Sequence, residues 1–393
     1  MSPSLRQLLL AALLSTSCAT TPAPEPEPGS ASETETGSET VTGTETVTGS
    51  ECVTGSEPVT GSEPESEPVT GSEPEPEPES GSEPESGPVL RLLALEASAS
   101  TSLGSPSHGT LKGGVDLPRR GPGFIHNPRR PHEARAGTVE LVQAIVHAAA
   151  VVQRELPGSG LVVNDLSLPG GGPIRQHGSH QNGRDADILF YALDADGKPM
   201  PAVGVPLDPQ LQGWDFKDLA EPSDDVRVKL DAPRTWRFVR ALLEHAGDQV
   251  QRIFVVEHVR SALLAEAERV GAPVQLRELF GHVACQPGTP HDDHMHVRFF
   301  CAPDDVSAGC KDKAPMYPWR RKTLAERGVK PVMETWRDRR AGKRARASLT
   351  TTREQARKSA ERKYGRLHRA VRAFLDRRED WAEKPSPGRP YCR

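Results

Sequence analysis

The sequence predicts a single α+β domain carried on a long disordered linker. Three observations lead there. After residue 89, short strand-like runs and amphipathic helical runs alternate irregularly, without the strand–helix–strand regularity of a doubly wound sheet. Residues 19–88 hold 17 Glu, no Asp, Lys or Arg and almost no large apolar side chain, so they cannot bury a core. What remains, about 300 residues, suffices for one sizeable domain. The chain therefore divides into a signal (1–18), an acidic repetitive linker (19–88), a folded domain (89–333) and a basic helical and Pro-rich tail (334–393).

The N-terminus comes first. Arg6, the apolar run Leu8–Leu14 and the small residues Ser15, Thr16 and Ser17 before Cys18 form an export signal of lipoprotein type. The run is too short to span a bilayer, and a lipid on Cys18 would be the membrane attachment. The linker repeats a Val-Thr-Gly-Ser-Glu-Pro unit, too short and too polar for a solenoid. Such a chain spans on the order of 45 Å when flexible. Within the domain, Thr138–Leu156 has helical spacing of apolar residues, a capping Thr138 and a stop at Pro157-Gly158. Strands are expected at 161–163, 188–191, 253–256 and 296–300. Helices are expected over 231–245, with Pro233 in the first turn, and over 261–270. From Glu334 the chain turns strongly basic and helical in propensity, and 384–393 reads as irregular.

The net charge of −5 hides an asymmetry. Residues 89–393 carry 48 basic and 37 acidic side chains, a net of +11. A basic body suits an anionic partner or surface, or presents a solvated basic helix; no nucleic acid is expected among its partners. Six cysteines occur, at 18, 52, 285, 301, 310 and 392. Lipidation of Cys18 would leave an odd number in an exported chain. Cys301 and Cys310 flank a short loop and are expected to pair, and Cys285 is matched with Cys392.

The chemistry concentrates in two stretches, HGSHQNGRDAD (His177–Asp187) and HDDHMH (His291–His296). They contain five of the 13 histidines and four aspartates. Imidazole and carboxylate are the ligands zinc takes where cysteine is absent, and a catalytic zinc keeps one open position. His294 and His296, two apart on a strand, share a face. Gly183 leaves room for a turn between His180 and Asp187. Either pattern alone is weak; together they point to a metal site with more histidines than a closed structural site needs. Gly170–Gly172 is a turn rather than a phosphate loop, since no Lys-Ser/Thr comes after it. Arg298 is expected to meet a substrate carboxylate or to pair with Asp292 or Asp293.

These motifs resemble the penicillin-insensitive murein endopeptidases, within the zinc peptidases that include D-alanyl-D-alanine dipeptidases and the hedgehog-type fold. The matching residues are His177-x-x-His180-Gln181-x-Gly183-x-Asp185-x-Asp187-Ile188, His291-x-x-His294-Met295-His296-Val297-Arg298 and Cys301, with weaker matches at Asp165, Gly171-Gly172 and Arg252–Val255, over roughly Ser102 to Cys310. The resemblance implies a hedgehog-like or D-Ala-D-Ala-peptidase-like domain with a central antiparallel sheet. It implies Zn2+ held by His180, Asp187 and His296, with His177 beside the metal, His294 as the catalytic histidine and His291 as its helper. It also implies peptidoglycan as partner, the D-alanyl–meso-diaminopimelyl cross-link as substrate, and a periplasmic location. Where the family has a cysteine near the start of the domain this chain has Thr110 or Leu111, so Cys392 needs another partner. No second zinc is assigned near Asp224-Asp225. Two other readings stand beside the endopeptidase: a D-Ala carboxypeptidase or dipeptidase on the same site, and a non-catalytic wall-binding lipoprotein.

Overall fold

The computed structural model describes residues 86–289, 291–349, 352–383 and Cys392. The expected signal, the lipid site at Cys18, linker residues 19–85, Cys52 and, apart from Cys392, the segment 384–393 lie outside these residues; residues 86–88, expected in the linker, instead begin a helix, Ser86–Leu93. Among the described residues, no helix is long and apolar enough to cross a membrane.

A seven-stranded sheet forms the centre. Its strands are β1 (Arg120–Gly121), β2 (Phe124–His126), β3 (Leu161–Val163), β4 (Asp185–Leu189), β5 (Val250–Phe254), β6 (Ala284–Cys285) and β7 (His294–Phe299). Their order is β6-β5-β7-β4-β3-β2-β1. The inner strands β5, β7, β4 and β3 run antiparallel, in keeping with the expected sheet, whereas β6 adds to β5 and β2 to β3 in parallel, so the whole sheet is mixed.

Period-two alternation gives the inner strands two different faces. Ala186, Ile188, Met295 and Val297 are fully buried and enter the main apolar cluster. Helices α1 (Val139–Glu155) and α2 (Ala232–Ala246) supply Leu141, Ile145, Phe238 and Leu242 to that cluster. The intervening residues Asp185, Asp187, His294, His296 and Arg298 fall on the other face. The fold thus covers one face with helices and leaves the other for polar chemistry.

Several boundaries differ from the sequence expectation, each for a local reason. Thr138 occupies the N-cap of α1 without a side-chain capping bond; Ser100 Oγ, 39 residues away, accepts the Val139 N–H at 2.9 Å instead. In α2, Asp231 accepts from the Arg234 N–H at 3.1 Å and Pro233 lies in the first turn. Helix α3 (Glu257–Arg269) begins earlier than residue 261 because Gln286 Oε1 accepts the Glu257 N–H at 2.8 Å. A further helix, α4 (Val274–Val283), and a four-stranded sheet from residues 192–193, 199–200, 212–215 and 226–230 were not foreseen. Strands β4 and β7 start three and two residues before the expected points, which puts Asp185, Asp187 and His294 inside strands.

The basic C-terminal segment folds as α5 (Trp336–Arg346), α6 (Arg353–Tyr364) and α7 (Arg369–Glu383). Capping boxes at Thr335/Asp338 and Thr352/Gln355 start the first two. Ala356, Ala360, Leu367, Val371 and Leu375 bury against Phe216 and Leu219. Disulfides join Cys301 to Cys310 and Cys285 to Cys392, as the sequence suggests. Arg184, fully buried, ties the end of β7 to the segment just after Cys310: its guanidinium donates to Phe299 O, Asp312 Oδ1 and Lys311 O at 2.8–3.0 Å.

His126 on β2 gives the fold a pH dependence. It is buried, its Nε2 has no hydrogen-bond partner, and burial followed by Arg135 and Arg130 hold its pKa down at about 4. The unfolded value is about 6.5, so the unfolded chain binds the extra proton first. Stability from this residue is complete above pH 6.5 and is lost between 6.5 and 4, up to about 3 kcal/mol. His126→Gln should therefore flatten the fall in urea midpoint over that window. An unchanged slope in the variant would remove His126 as its source.

Candidate metal centre

Cross-strand register assembles the centre. On β7 and β4, His296 stands directly opposite Asp187, His294 opposite Leu189 and Arg298 opposite Asp185. Residues directly opposite each other have Cβ atoms about 5 Å apart, which brings the side-chain tips together. The two motifs, more than 100 residues apart in the chain, meet here because these strands are neighbours.

The loop before β4 is held in an unusual form. His180 has φ of 68°, a left-handed conformation uncommon for histidine. Asp185 Oδ2 accepts its N–H at 2.9 Å, and Ser167 Oγ donates to its carbonyl at 2.6 Å. The turn between His180 and Asp185 needs Gly183, at φ 78°, where a Cβ would press on the Leu111 side chain. Gly171 similarly allows the backbones of Thr110 and Gln181 to close on it. His291 also adopts a positive φ, 55°.

Four imidazoles gather around Asp187. His180 Nε2, His296 Nδ1 and His294 Nε2 lie 3.2, 3.0 and 3.4 Å from Asp187 Oδ1, and His177 Nδ1 lies 3.5 Å from Oδ2. His180 Nε2 and His296 Nδ1 are 3.3 Å apart. His291 borders the same site, its ring 5.1 Å from that of His294. The structure thus brings all six sequence-selected residues into one cleft of about 420 Å³.

The partners of the outer nitrogens bear on which inner nitrogens are bare. His180 Nδ1 faces the Leu166 carbonyl at 2.7 Å, an acceptor only, so it carries hydrogen and leaves Nε2 with a lone pair. His296 Nε2 lies between Asp185 Oδ1 at 3.1 Å and Arg298 Nη2 at 3.4 Å, and its Nδ1 faces Asp187. His177 Nε2 donates to Asp165 Oδ2 at 2.8 Å, so its Nδ1 lone pair faces Asp187 Oδ2. Asp187 Oδ1 is buried and makes no well-directed hydrogen bond despite these neighbours. Converging lone pairs in a buried site repel unless a cation lies between them. His177, His180 and Asp187 form a group whose ligand atoms all lie within 4.8 Å of one another, and His296 Nδ1 is closer still to two of them.

The carboxylates and imidazoles also shift one another's proton affinities, and a bound cation would compete with those protons. Burial would raise the Asp187 pKa, yet His180 and then His294 hold it well below the usual carboxylate range. Burial would lower His180, but the Asp187 charge lifts it above the ordinary histidine value. His294 stands well above that value: against burial, Asp187 and Asp293 favour its charged form, and Asp293 Oδ1 accepts from its Nδ1 at 2.7 Å. Burial and His180 depress His177, while burial with His294 and His296 holds His291 at about 3.

Several contributors carried no role in the sequence reading. Asp185 accepts from the His180 backbone and from Arg298 Nε at 2.6 Å and faces His296. Arg298 thus pairs with its cross-strand partner Asp185 rather than with Asp292 or Asp293, one of its two expected roles. Asp165, paired with Arg130 through a short contact, orients His177. Asp293 orients His294. Such partners fix the tautomer and direction of metal-site histidines. The two-residue spacing of Asp185 and Asp187 hinted at a shared face; Asp165 stood only as a weaker family match without a role, and nothing in sequence linked Arg130 to the motifs.

A model of the penicillin-insensitive murein endopeptidase family matches residues 102–362. The match continues past Cys310, the end of the resemblance read from motifs, and takes in α5 and most of α6. Among similar proteins, a penicillin-insensitive murein endopeptidase of Klebsiella pneumoniae is 27% identical over 250 residues, covering 58% of this chain and 83% of the relative. That of Pectobacterium atrosepticum is 28% identical over 228 residues, covering 56% and 72%. That of Haemophilus influenzae is 26% identical over 242 residues, covering 58% and 72%. With the family model matched over two thirds of its length, this chain belongs to the penicillin-insensitive murein endopeptidase family.

Proposed function

We propose that this protein is a zinc peptidase that hydrolyses D-alanyl–meso-diaminopimelyl cross-links in peptidoglycan. One observation carries the metal: the spacing of His180 Nε2, His296 Nδ1 and Asp187 Oδ1, 3.0–3.3 Å apart with lone pairs converging. A tetrahedral zinc with bonds of about 2.0–2.1 Å sets its ligands about 3.3 Å apart. His180, Asp187 and His296 are the proposed ligands, with His177 beside the metal. A zinc bound there would supply Lewis-acid polarisation of a peptide carbonyl and a water acidic enough to react near neutral pH.

The chain's own residues do the rest. His294 Nε2 points toward the Asp187 side of the cleft while Asp293 holds Nδ1. It carries the proton during amide cleavage, and in its charged form it stabilises oxygen that gains negative charge. His291, kept neutral, lines the cleft as its helper. Asp185 and Asp165 hold His296 and His177 in the tautomers that expose Nδ1. In this reading residues 1–18 direct export, a lipid on Cys18 holds the protein to a membrane facing the periplasm, and 19–88 is the tether that lets the domain reach the wall.

The test is digestion of purified cross-linked muropeptides by the zinc-loaded protein. Conversion of dimers to monomers without free D-alanine is expected. Release of D-alanine alone would favour the carboxypeptidase reading, and wall binding without turnover the non-catalytic one.

A further inference from the structure

The basic C-terminal segment does not end as a solvated tail: part of it lines the catalytic cleft. Lys313, Arg339 and Arg346 border the same cavity as His177, His180 and Asp187. Arg339 and Arg346 are seven residues apart on α5, two helical turns, and so share a face. The helix is fixed there. Between the two arginines, Gly342 lies so close to the Ser107 carbonyl that any Cβ would collide with it. Arg346 Nη1 donates to the same carbonyl at 3.3 Å. At the start of the helix Lys311 Nζ bonds Asp338 at 2.8 Å.

Lys313, Arg339 and Arg346 share Glu334 as an acidic neighbour behind this wall. The other two arginines of the cleft, Arg130 and Arg298, are paired with Asp165 and Asp185. The cleft's carboxylates, Asp187 and Asp293, face the histidines. Behind the wall, the buried Glu334 accepts from Ser105 Oγ at 2.6 Å and lies 3.7 Å from Lys313 Nζ and 3.9 Å from Arg339 Nη1. The surfaces that Lys313, Arg339 and Arg346 present to the cavity are cationic. Burial, with Arg298 beside it, holds the Lys313 amine down at about 8, as expected where cations crowd.

The chemistry of the proposed substrate supplies a matching anion. In a D-alanyl–meso-diaminopimelyl cross-link, the carbon bearing the scissile amide nitrogen also bears a free carboxylate. We propose that Arg339 and Arg346, with Lys313, form the subsite that binds this leaving-group carboxylate, an inference that rests on the cross-link reading above. Arginine suits the role because its planar fork meets a carboxylate with two parallel charge-assisted bonds. The cleft then selects a peptide whose acid lies next to the bond being cut, and the +11 charge of residues 89–393 acquires a local use.

The test uses the full-length zinc-loaded protein and two synthetic cross-linked stem peptides, identical except that one has this carboxylate amidated. In the unmodified protein, amidation should raise KM on the order of tenfold, about what one lost charge-assisted contact costs, with kcat within twofold. Arg339→Gln should raise KM for the free acid similarly and abolish the discrimination. Arg339 is more than half exposed, so this variant keeps its fold; Arg346→Gln is the second variant, its folding checked by thermal unfolding. Equal KM for both peptides in the unmodified protein, or full discrimination in Arg339→Gln, overturns the subsite. If neither peptide is cleaved, the proposed activity fails on its own. Calorimetric binding of the same two peptides then decides the subsite: a free-acid preference lost in Arg339→Gln supports it, and no preference rejects it.

Discussion

Asp187→Ala should be isolated without stoichiometric zinc and without measurable cross-link cleavage. Asp187 is the hub of the centre: three imidazole nitrogens lie within 3.4 Å of its Oδ1 and a fourth lies 3.5 Å from Oδ2. Removing it takes away one ligand and the charge that holds the surrounding histidines in place. Losing about 4 kcal/mol of metal-derived transition-state stabilisation already costs on the order of 10³ in rate. Metal content by atomic emission and dimer cleavage by chromatography read the two losses separately. Asp187→Ala protein that keeps one zinc per chain and full activity would show that the metal sits elsewhere.

His294→Gln should behave differently. Glutamine keeps a polar group of similar reach but cannot carry a proton near neutral pH. The variant should retain its zinc while kcat falls on the order of 10²- to 10⁴-fold, the usual contribution of a positioned acid–base group. The contrast with Asp187→Ala separates a proton carrier from a ligand, a distinction that matters because His294 Nε2 approaches Asp187 Oδ1 to 3.4 Å, almost as closely as the proposed ligands. A zinc-free His294→Gln protein would instead make His294 a ligand. Unchanged kcat would remove it from the chemistry.

Much of this centre is legible in the amino-acid sequence because its chemistry is local. His177 and His180 with Gly183 and Asp187, and His294 with His296, are short-range patterns whose spacing reflects a turn and a strand. What brings the two stretches together is not local. The pairing of His296 with Asp187 is a register between β7 and β4, fixed by Ala186, Ile188, Met295 and Val297 entering the core on the opposite face. Short apolar runs located these strands but not their true starts, since buried aspartates and histidines interrupt the hydrophobic signal. Asp165 and Arg130 reach His177 from 12 and 47 positions away in the chain, contacts that no motif records. The basic segment read as a surface feature because Arg339 and Arg346 acquire their position through long-range contacts, Gly342 against Ser107 and Lys311 with Asp338.

The central proposal is that a zinc held at Asp187 would serve the cleavage of peptide cross-links. The muropeptide digestion tests it most directly when run on the same protein stripped with a chelator and then titrated with zinc. No dimer cleavage is expected from the stripped protein, and activity should return with zinc and saturate at one equivalent per chain, yielding monomers without free D-alanine. Dimer cleavage undiminished by removal of the metal, or zinc-replete protein that leaves the dimers intact, would contradict it.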